Sequence, residues 1–437
     1  MHLSRKDRRV NRRTGKSGIS KDTQTARPVS WSNITVLIGV FLFIGITSES
    51  AIAWFGQSPS QTDEPYSLVF PESPDLGGEL FIEKGCIRCH AILGEGGQIG
   101  PDLGRLSFRR NLSDLTAAMW NHAPTMSRQM RTLGLEEPHF EPGEIRAITS
   151  FLYYVNFGDP RGDPETGAML FTSKECVQCH IVAGEGGTAG PSLDLLQAYV
   201  SPVVIAQRMW NHGQQMLGTM RDLGIEVPVF SGTEMTDLIA FLRVAGRAGP
   251  GSRRFSNVGD ARNGMQIFRV KGCTSCHSIM GEGGKTGPDL AESDIGATVT
   301  ELIALMWNHW PQMLDQMEQA GLTQPVFTET EMTDLLAFLY ATHYSGKPGD
   351  PSRGEDLFDE KQCRSCHAVR GVGALTGPDL AESEAARSLE NGIRLLWNHA
   401  VAMEEPMLAS GVAWPSLNGS DVSDLLAFIR RSRRNEN

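Results

Sequence analysis

Basic residues are scarce over most of this chain. Residues 1–53 hold nine Lys/Arg against three Asp/Glu, whereas residues 54–437 hold 31 against 48. So acidic a body excludes nucleic acid as a partner and favours basic protein surfaces, approached at salt-sensitive rates. Aromatic residues are few, at 7%. No period-two alternation of apolar and polar residues marks a β-sheet. The chain has one long apolar run, the 13 residues Ile34 to Ile46, which excludes a polytopic membrane protein. Cysteine outside a motif is absent altogether, so no disulfide framework is available. With 437 residues, two to four globular units are expected.

All eight cysteines fall in four copies of one pattern: Cys86-Ile87-Arg88-Cys89-His90, Cys176-Val177-Gln178-Cys179-His180, Cys273-Thr274-Ser275-Cys276-His277 and Cys363-Arg364-Ser365-Cys366-His367. C-x-x-C-H is the attachment sequence of c-type haem. Two thiols three residues apart span one helical turn and can add to the two haem vinyl groups, while the histidine beside them faces the iron. A zinc knuckle requires paired C-x-x-C units around one metal, and a redox dithiol a single motif in a βαβ setting. Neither context is present, so four covalently bound haem c groups are expected. Haem attachment outside the cytoplasm turns these thiols into thioethers and not disulfides.

The motifs sit in a gapless internal repeat. Nine residues before each first cysteine lies Gly77, Gly167, Gly264 or Gly354, and four residues later Phe81, Phe171, Phe268 or Phe358. Eleven residues after each motif histidine comes the proline of a Gly-Pro pair, Pro101, Pro191, Pro288 or Pro378. A Trp-Asn-His follows, starting at Trp120, Trp210, Trp307 and Trp397. Phe151, Phe241, Phe338 and Phe428 close four units of 75 residues, joined by 15, 22 and 15 residues. Each unit reads as helix, loop, helix, loop, helix, the last helix marked by apolar residues at helical spacing such as Met332, Leu335, Leu336 and Leu339. Asp-Pro at 159–160, 163–164 and 350–351 fits an N-cap followed by proline at the first helical position. The linker holding Arg247-Ala248-Gly249-Pro250-Gly251-Ser252 is expected to be the most flexible, and the unequal linkers to set units one with two, and three with four, in similar pairs.

The set Gly-x-x-x-Phe, C-x-x-C-H, Gly-Pro-x-Leu, then Met and an amphipathic closing helix resembles a class I cytochrome c domain, four times over. The resemblance implies an all-α fold of four tandem domains, at 74–157, 162–246, 259–344 and 350–434. It implies that first and last helices cross, and that His90, His180, His277 and His367 are proximal iron ligands. The Gly-Pro carbonyl would accept a hydrogen bond from the other nitrogen of each histidine, fixing its tautomer. For the distal ligand each unit offers three residues four apart on one helix face: His122, Met126, Met130; His212, Met216, Met220; His309, Met313, Met317; and His399, Met403, Met407. Alignment with short class I cytochromes favours Met126, Met216, Met313 and Met403, with the second methionines as runners-up and the histidines third. One methionine of each pair is then core filler. The Trp and His of Trp-Asn-His would line the haem edge, bonding propionates or a buried neighbour. His139 and His343 recur in no other unit and read as ordinary surface or core histidines. The Gly-Glu-Gly-Gly loops lack the Lys-Ser/Thr and strand context of a phosphate loop.

Residues 1–31 form a basic tail and 32–55 a membrane anchor or signal segment. Thirteen apolar residues are short for a span, and Ala51-Ile52-Ala53 offers a cleavage site, which fits a removed signal. The long basic flank and the return of apolar character at Trp54-Phe55 favour an uncleaved anchor on the bacterial inner membrane, with the haem domains in the periplasm. The function expected is single-electron transport between donor and acceptor redox proteins, one of them a membrane oxidoreductase, without a catalytic residue, because iron with two axial ligands leaves no open position. The alternatives are a peroxidase- or reductase-type haem enzyme with one open haem, the fourth unit being the first suspect, and a structural or filament-forming cytochrome.

Overall fold

Three of the four repeats start where a carboxylate caps the first helix. Asp163, Asp260 and Asp350 accept hydrogen bonds from the first-turn N–H groups of α4 (Pro164–Ser173), α7 (Ala261–Val270) and α10 (Pro351–Glu360). The N–H groups of these same caps donate to Asp237, Asp334 and Asp424 at 2.7, 2.7 and 2.6 Å. Those acceptors lie on the closing helices α6 (Glu234–Ala245), α9 (Glu329–Ser345) and α12 (Gly419–Arg434), so one cap ties first helix to last. In the first repeat α1 (Pro74–Glu83) also packs on α3 (Glu144–Asn156), but Ala147 stands where the other closing helices carry the aspartate. Between them run the middle helices α2 (Leu112–Thr132), α5 (Pro202–Leu223), α8 (Val299–Gln319) and α11 (Leu389–Ala409).

This is a computed structural model that describes residues 68–71, 74–105, 111–156, 158–196, 201–245, 259–296 and 298–434. The basic tail 1–31, the segment 32–55 and the linker at 246–258 lie outside the described residues. Among the described residues no helix is long and apolar enough to cross a membrane.

The Gly-Phe pair governs the helix crossing. A Cβ on Gly77, Gly167, Gly264 or Gly354 would overlap the carbonyl oxygen of Ala147, Asp237, Asp334 or Asp424, so the first helix lies directly on the backbone of the last. One turn on, the phenylalanines meet as Phe81–Phe151, Phe171–Phe241, Phe268–Phe338 and Phe358–Phe428, with ring centres 5.5 to 5.7 Å apart. The glycine-rich loops hold a little β-structure: two-residue hairpins β1 (Ala91–Ile92) with β2 (Glu95–Gly96), β3 (Ser278–Ile279) with β4 (Glu282–Gly283), and β5 (Ala368–Val369) with β6 (Val372–Gly373).

The expected pairing of neighbouring units is corrected by the packing. Repeat 1 pairs with repeat 4, and repeat 2 with repeat 3, through reciprocal contacts of the kind found in two-fold dimers. Trp210 Nε1 donates to Pro325 O and Trp307 Nε1 to Pro228 O, each at 2.7 Å. Trp120 donates to Pro415 O at 2.8 Å and Trp397 to Pro138 O at 3.1 Å. The asparagine that follows each tryptophan brackets the residue two beyond the same proline: Asn211 binds both backbone polar groups of Phe327, Asn308 those of Phe230, Asn398 those of Phe140 and Asn121 those of Leu417. Thus Trp-Asn is a clamp between repeats, the indole N–H of each tryptophan being satisfied by a proline carbonyl of the neighbour.

Repeats 1 and 3 join through the ends of α3 and α9. Tyr344 and Thr149 hydroxyls lie 2.8 Å apart, and Tyr153 OH donates to Tyr340 O at 3.0 Å. Of the three Asp-Pro sites, Asp163 and Asp350 cap their own helices. Asp159 instead accepts from Thr300 N at 3.0 Å and Thr300 Oγ1 at 2.7 Å, at the start of α8 in repeat 3. The repeats are therefore not separate beads: the described residues fall within one compact unit.

Candidate functional site

Each C-x-x-C-H is a single tight turn at the end of a first helix. A residue in the left-handed region (Gly85, Glu175, Gly272 or Gln362) breaks the helix and starts a 3-10 turn over the first three motif residues. The histidine N–H then returns to the first cysteine carbonyl, at 3.0, 3.0, 2.9 and 2.9 Å for His90, His180, His277 and His367. Both thiols and the imidazole of each motif thereby issue from one turn of chain.

All eight cysteines are free. Cys86, Cys176, Cys273 and Cys363 have thiols pushed up to about 11, chiefly by burial, so they stay protonated at neutral pH. Among the described residues no group of three or more His, Cys, Asp and Glu is arranged to hold a metal ion.

The imidazoles are fixed from below. Nδ1 of His90, His180, His277 and His367 stands 3.0, 2.9, 3.0 and 3.1 Å from the carbonyl oxygens of Pro101, Pro191, Pro288 and Pro378. A carbonyl only accepts, so Nδ1 carries the hydrogen and Nε2 keeps its lone pair for a metal. The glycine before each proline lies against the ring: a Cβ on Gly100, Gly190, Gly287 or Gly377 would meet His90, His180, His277 or His367. Burial, and to a lesser degree the charge of His309, lowers the His277 pKa and keeps that ring in its neutral, ligating form.

The loop between motif and proline is held by one carboxylate. Asp102 accepts from the N–H groups of Leu93 and Gly94, Asp289 from Met280 and Gly281, and Asp379 from Arg370 and Gly371, all at 2.6 to 3.1 Å. Repeat 2 has Ser192 at that position, and Asp194 takes over by accepting from Ala183 N at 2.6 Å. Sequence reading missed this aspartate, although Pro-Asp-Leu in three of the four repeats is a visible signal.

The middle helices carry the remaining candidates. Met126, Met216, Met313 and Met403 are half-buried, and Met216 and Met403 pack against the main apolar core. Met130, Met220, Met317 and Met407 are half-buried too. Met130 lines a cavity of about 150 Å³ against repeat 4, beside Trp397, Asn398 and Ala400. His122 and His309 are exposed, as is His399, and His122 Nδ1 is engaged by its own helix at Ala118 O, 2.8 Å away. His212 differs: its ring centre is 6.4 Å from that of His180.

The donor set fits covalent haem: two thiols and one imidazole protonated at Nδ1 per turn, four times. Comparison with known proteins agrees. The cytochrome c family model matches residues 261–342 and 351–433. A subunit of the nitric oxide reductase of Cereibacter sphaeroides is 27% identical over 128 residues, which cover 28% of this chain and 79% of that protein. No solved structure matches. The two matched regions and the four cysteine-histidine turns support a multihaem c-type cytochrome that uses haem for electron transfer.

Proposed function

We propose that the chain is a tetrahaem carrier of single electrons on the periplasmic side of a bacterial inner membrane, with a membrane oxidoreductase among its partners. The observation that carries this reading is the repetition, in all four repeats, of one imidazole whose Nδ1 is held by a proline carbonyl. Haem c, when bound, supplies a one-electron iron couple. The chain's own residues do the rest: Cys86/Cys89, Cys176/Cys179, Cys273/Cys276 and Cys363/Cys366 anchor, the motif histidines ligate, and the glycine-proline shelf orients each ring. Met126, Met313 and Met403 are the groups for the opposite face in repeats 1, 3 and 4, with Met130 lining the cavity against repeat 4. A reductase component among the relatives supports a partner of that kind.

Protein matured in a haem-attaching host should gain the mass of four haems and show only low-spin ferric iron. Fewer haems removes the tetrahaem reading. A high-spin ferric signal in fully loaded protein would instead favour the enzyme alternative with one open site.

Partner choice follows from charge. With 31 basic against 48 acidic residues beyond position 53, docking to a basic redox protein should be accelerated by long-range attraction. The second-order rate of electron exchange with a small basic cytochrome should fall about ten-fold as ionic strength rises from about 0.01 to 0.15 M, where the screening length shrinks from about 30 to 8 Å. A rate that is flat or rises with salt contradicts acidic-face docking.

A further inference from the structure

We infer that His212, and not Met216, is the residue of repeat 2 that binds iron opposite His180, which makes this site chemically distinct from the other three. The inference rests on the haem reading of the four turns.

Three observations converge on His212. The ring centres of His180 and His212 are 6.4 Å apart, with planes inclined at 67°. Two imidazoles on opposite sides of one metal ion, with nitrogens about 2 Å from it, have ring centres about 6 Å apart, so the observed spacing is compatible with a shared ion. His180 Nδ1 is already engaged by Pro191 O at 2.9 Å, which leaves Nε2 as its ligating atom.

The second observation is how His212 is held. Trp210 donates to Pro325 O, Asn211 brackets Phe327, and a Cβ on Gly213 would stand 2.6 Å from Trp310 Nε1. The residues on both sides of His212 are therefore fixed against repeat 3, and the segment that carries the imidazole is in place before any metal arrives. Such preorganisation is what a ligand on a rigid element requires.

The third is exclusion. Only one position on the iron lies opposite His180, so His212 and Met216, one turn apart on the same helix face, compete for it. Met216 packs against the main apolar core, as Met403 does, so packing does not choose between the two; what sets His212 apart is its ring, 6.4 Å from that of His180. Two imidazoles lower the potential of the iron relative to an imidazole and a thioether, so repeat 2 holds the lowest of the four potentials.

The test uses the full-length, haem-loaded protein and its spectra. The oxidised wild type should show one strongly anisotropic low-spin EPR signal, as two inclined imidazole planes produce, beside a near-infrared methionine–iron band. His212→Ala should abolish that signal, Met216→Ala should leave it and the band unchanged, and His212→Met should raise the lowest midpoint potential while keeping four haems by mass. Loss of about a quarter of the near-infrared band in Met216→Ala, or an unaltered EPR spectrum in His212→Ala, overturns the inference. If His212→Ala fails to mature, the potential of His212→Met decides by itself: no upward shift means His212 is not a ligand. Fewer than four haems in the wild type is a different failure, that of the haem reading, and mass alone reveals it.

Discussion

Trp307→Ala should cost about 3–5 kcal/mol of unfolding free energy, as removal of a buried tryptophan does. Trp307 is 4% exposed and is the clamp by which repeat 3 holds repeat 2. Its removal takes away a large apolar face and also strands the Pro228 carbonyl, which loses its 2.7 Å partner in a closed interface. Trp307→Phe separates the two effects: it keeps most of the packing, loses the N–H, and should cost only about 1–2 kcal/mol. Chemical denaturation of the three proteins, with matched haem content, measures both steps. Because Trp210 performs the reciprocal act on repeat 3, the double variant Trp210→Ala/Trp307→Ala should lose less than the sum of the singles, the pair having already parted. A loss below about 1 kcal/mol for Trp307→Ala would mean that the nested pairing does not hold the molecule together.

Why that pairing was hidden in the sequence is a matter of degeneracy. Motif spacing revealed four repeats, their helices, the Asp163 and Asp350 caps and the crossing marked by Gly-Phe, because each depends on residues close together in one repeat. The clamp joins Trp-Asn of one repeat to Pro-x-Phe or Pro-x-Leu of another, and all four repeats carry both halves. Identical partners say nothing about who pairs with whom. Only deviations from the repeat break the tie: Trp310 packs over Gly213, Trp414 stacks on Trp120 with ring centres 4.4 Å apart, and Arg146 bridges to Glu390 at 3.1 Å. Large against small and plus against minus were legible signals, but only once the repeats are compared in pairs. The consequence is a spatial row of repeats 4, 1, 3 and 2, in which the chain's sequential neighbours 1 and 2 are not the reciprocal pair.

Lack of space and backbone conformation make separate demands at two glycines. Gly264 sits inside α7, where intrinsic helix preference favours alanine by about 1 kcal/mol. If preference decided, Gly264→Ala would stabilise. The added methyl, however, would overlap the Asp334 carbonyl, backbone of a helix that the Asp260 cap and the Phe268–Phe338 contact hold in place. The helices can only part, and closely packed cores resist this at about 1–3 kcal/mol or more per misplaced group. Gly264→Ala should therefore destabilise by about 3 kcal/mol, and amide exchange should quicken in α7 and α9 together. Gly281 is the contrasting case: nothing lies near its missing side chain, but its φ is +83°. Gly281→Ala should cost about 1–2 kcal/mol, the penalty of a left-handed L-residue, and leave exchange in α7 and α9 unchanged. Stabilisation by Gly264→Ala, or equal exchange patterns in the two variants, would show that the close helix crossing is not what the glycine serves.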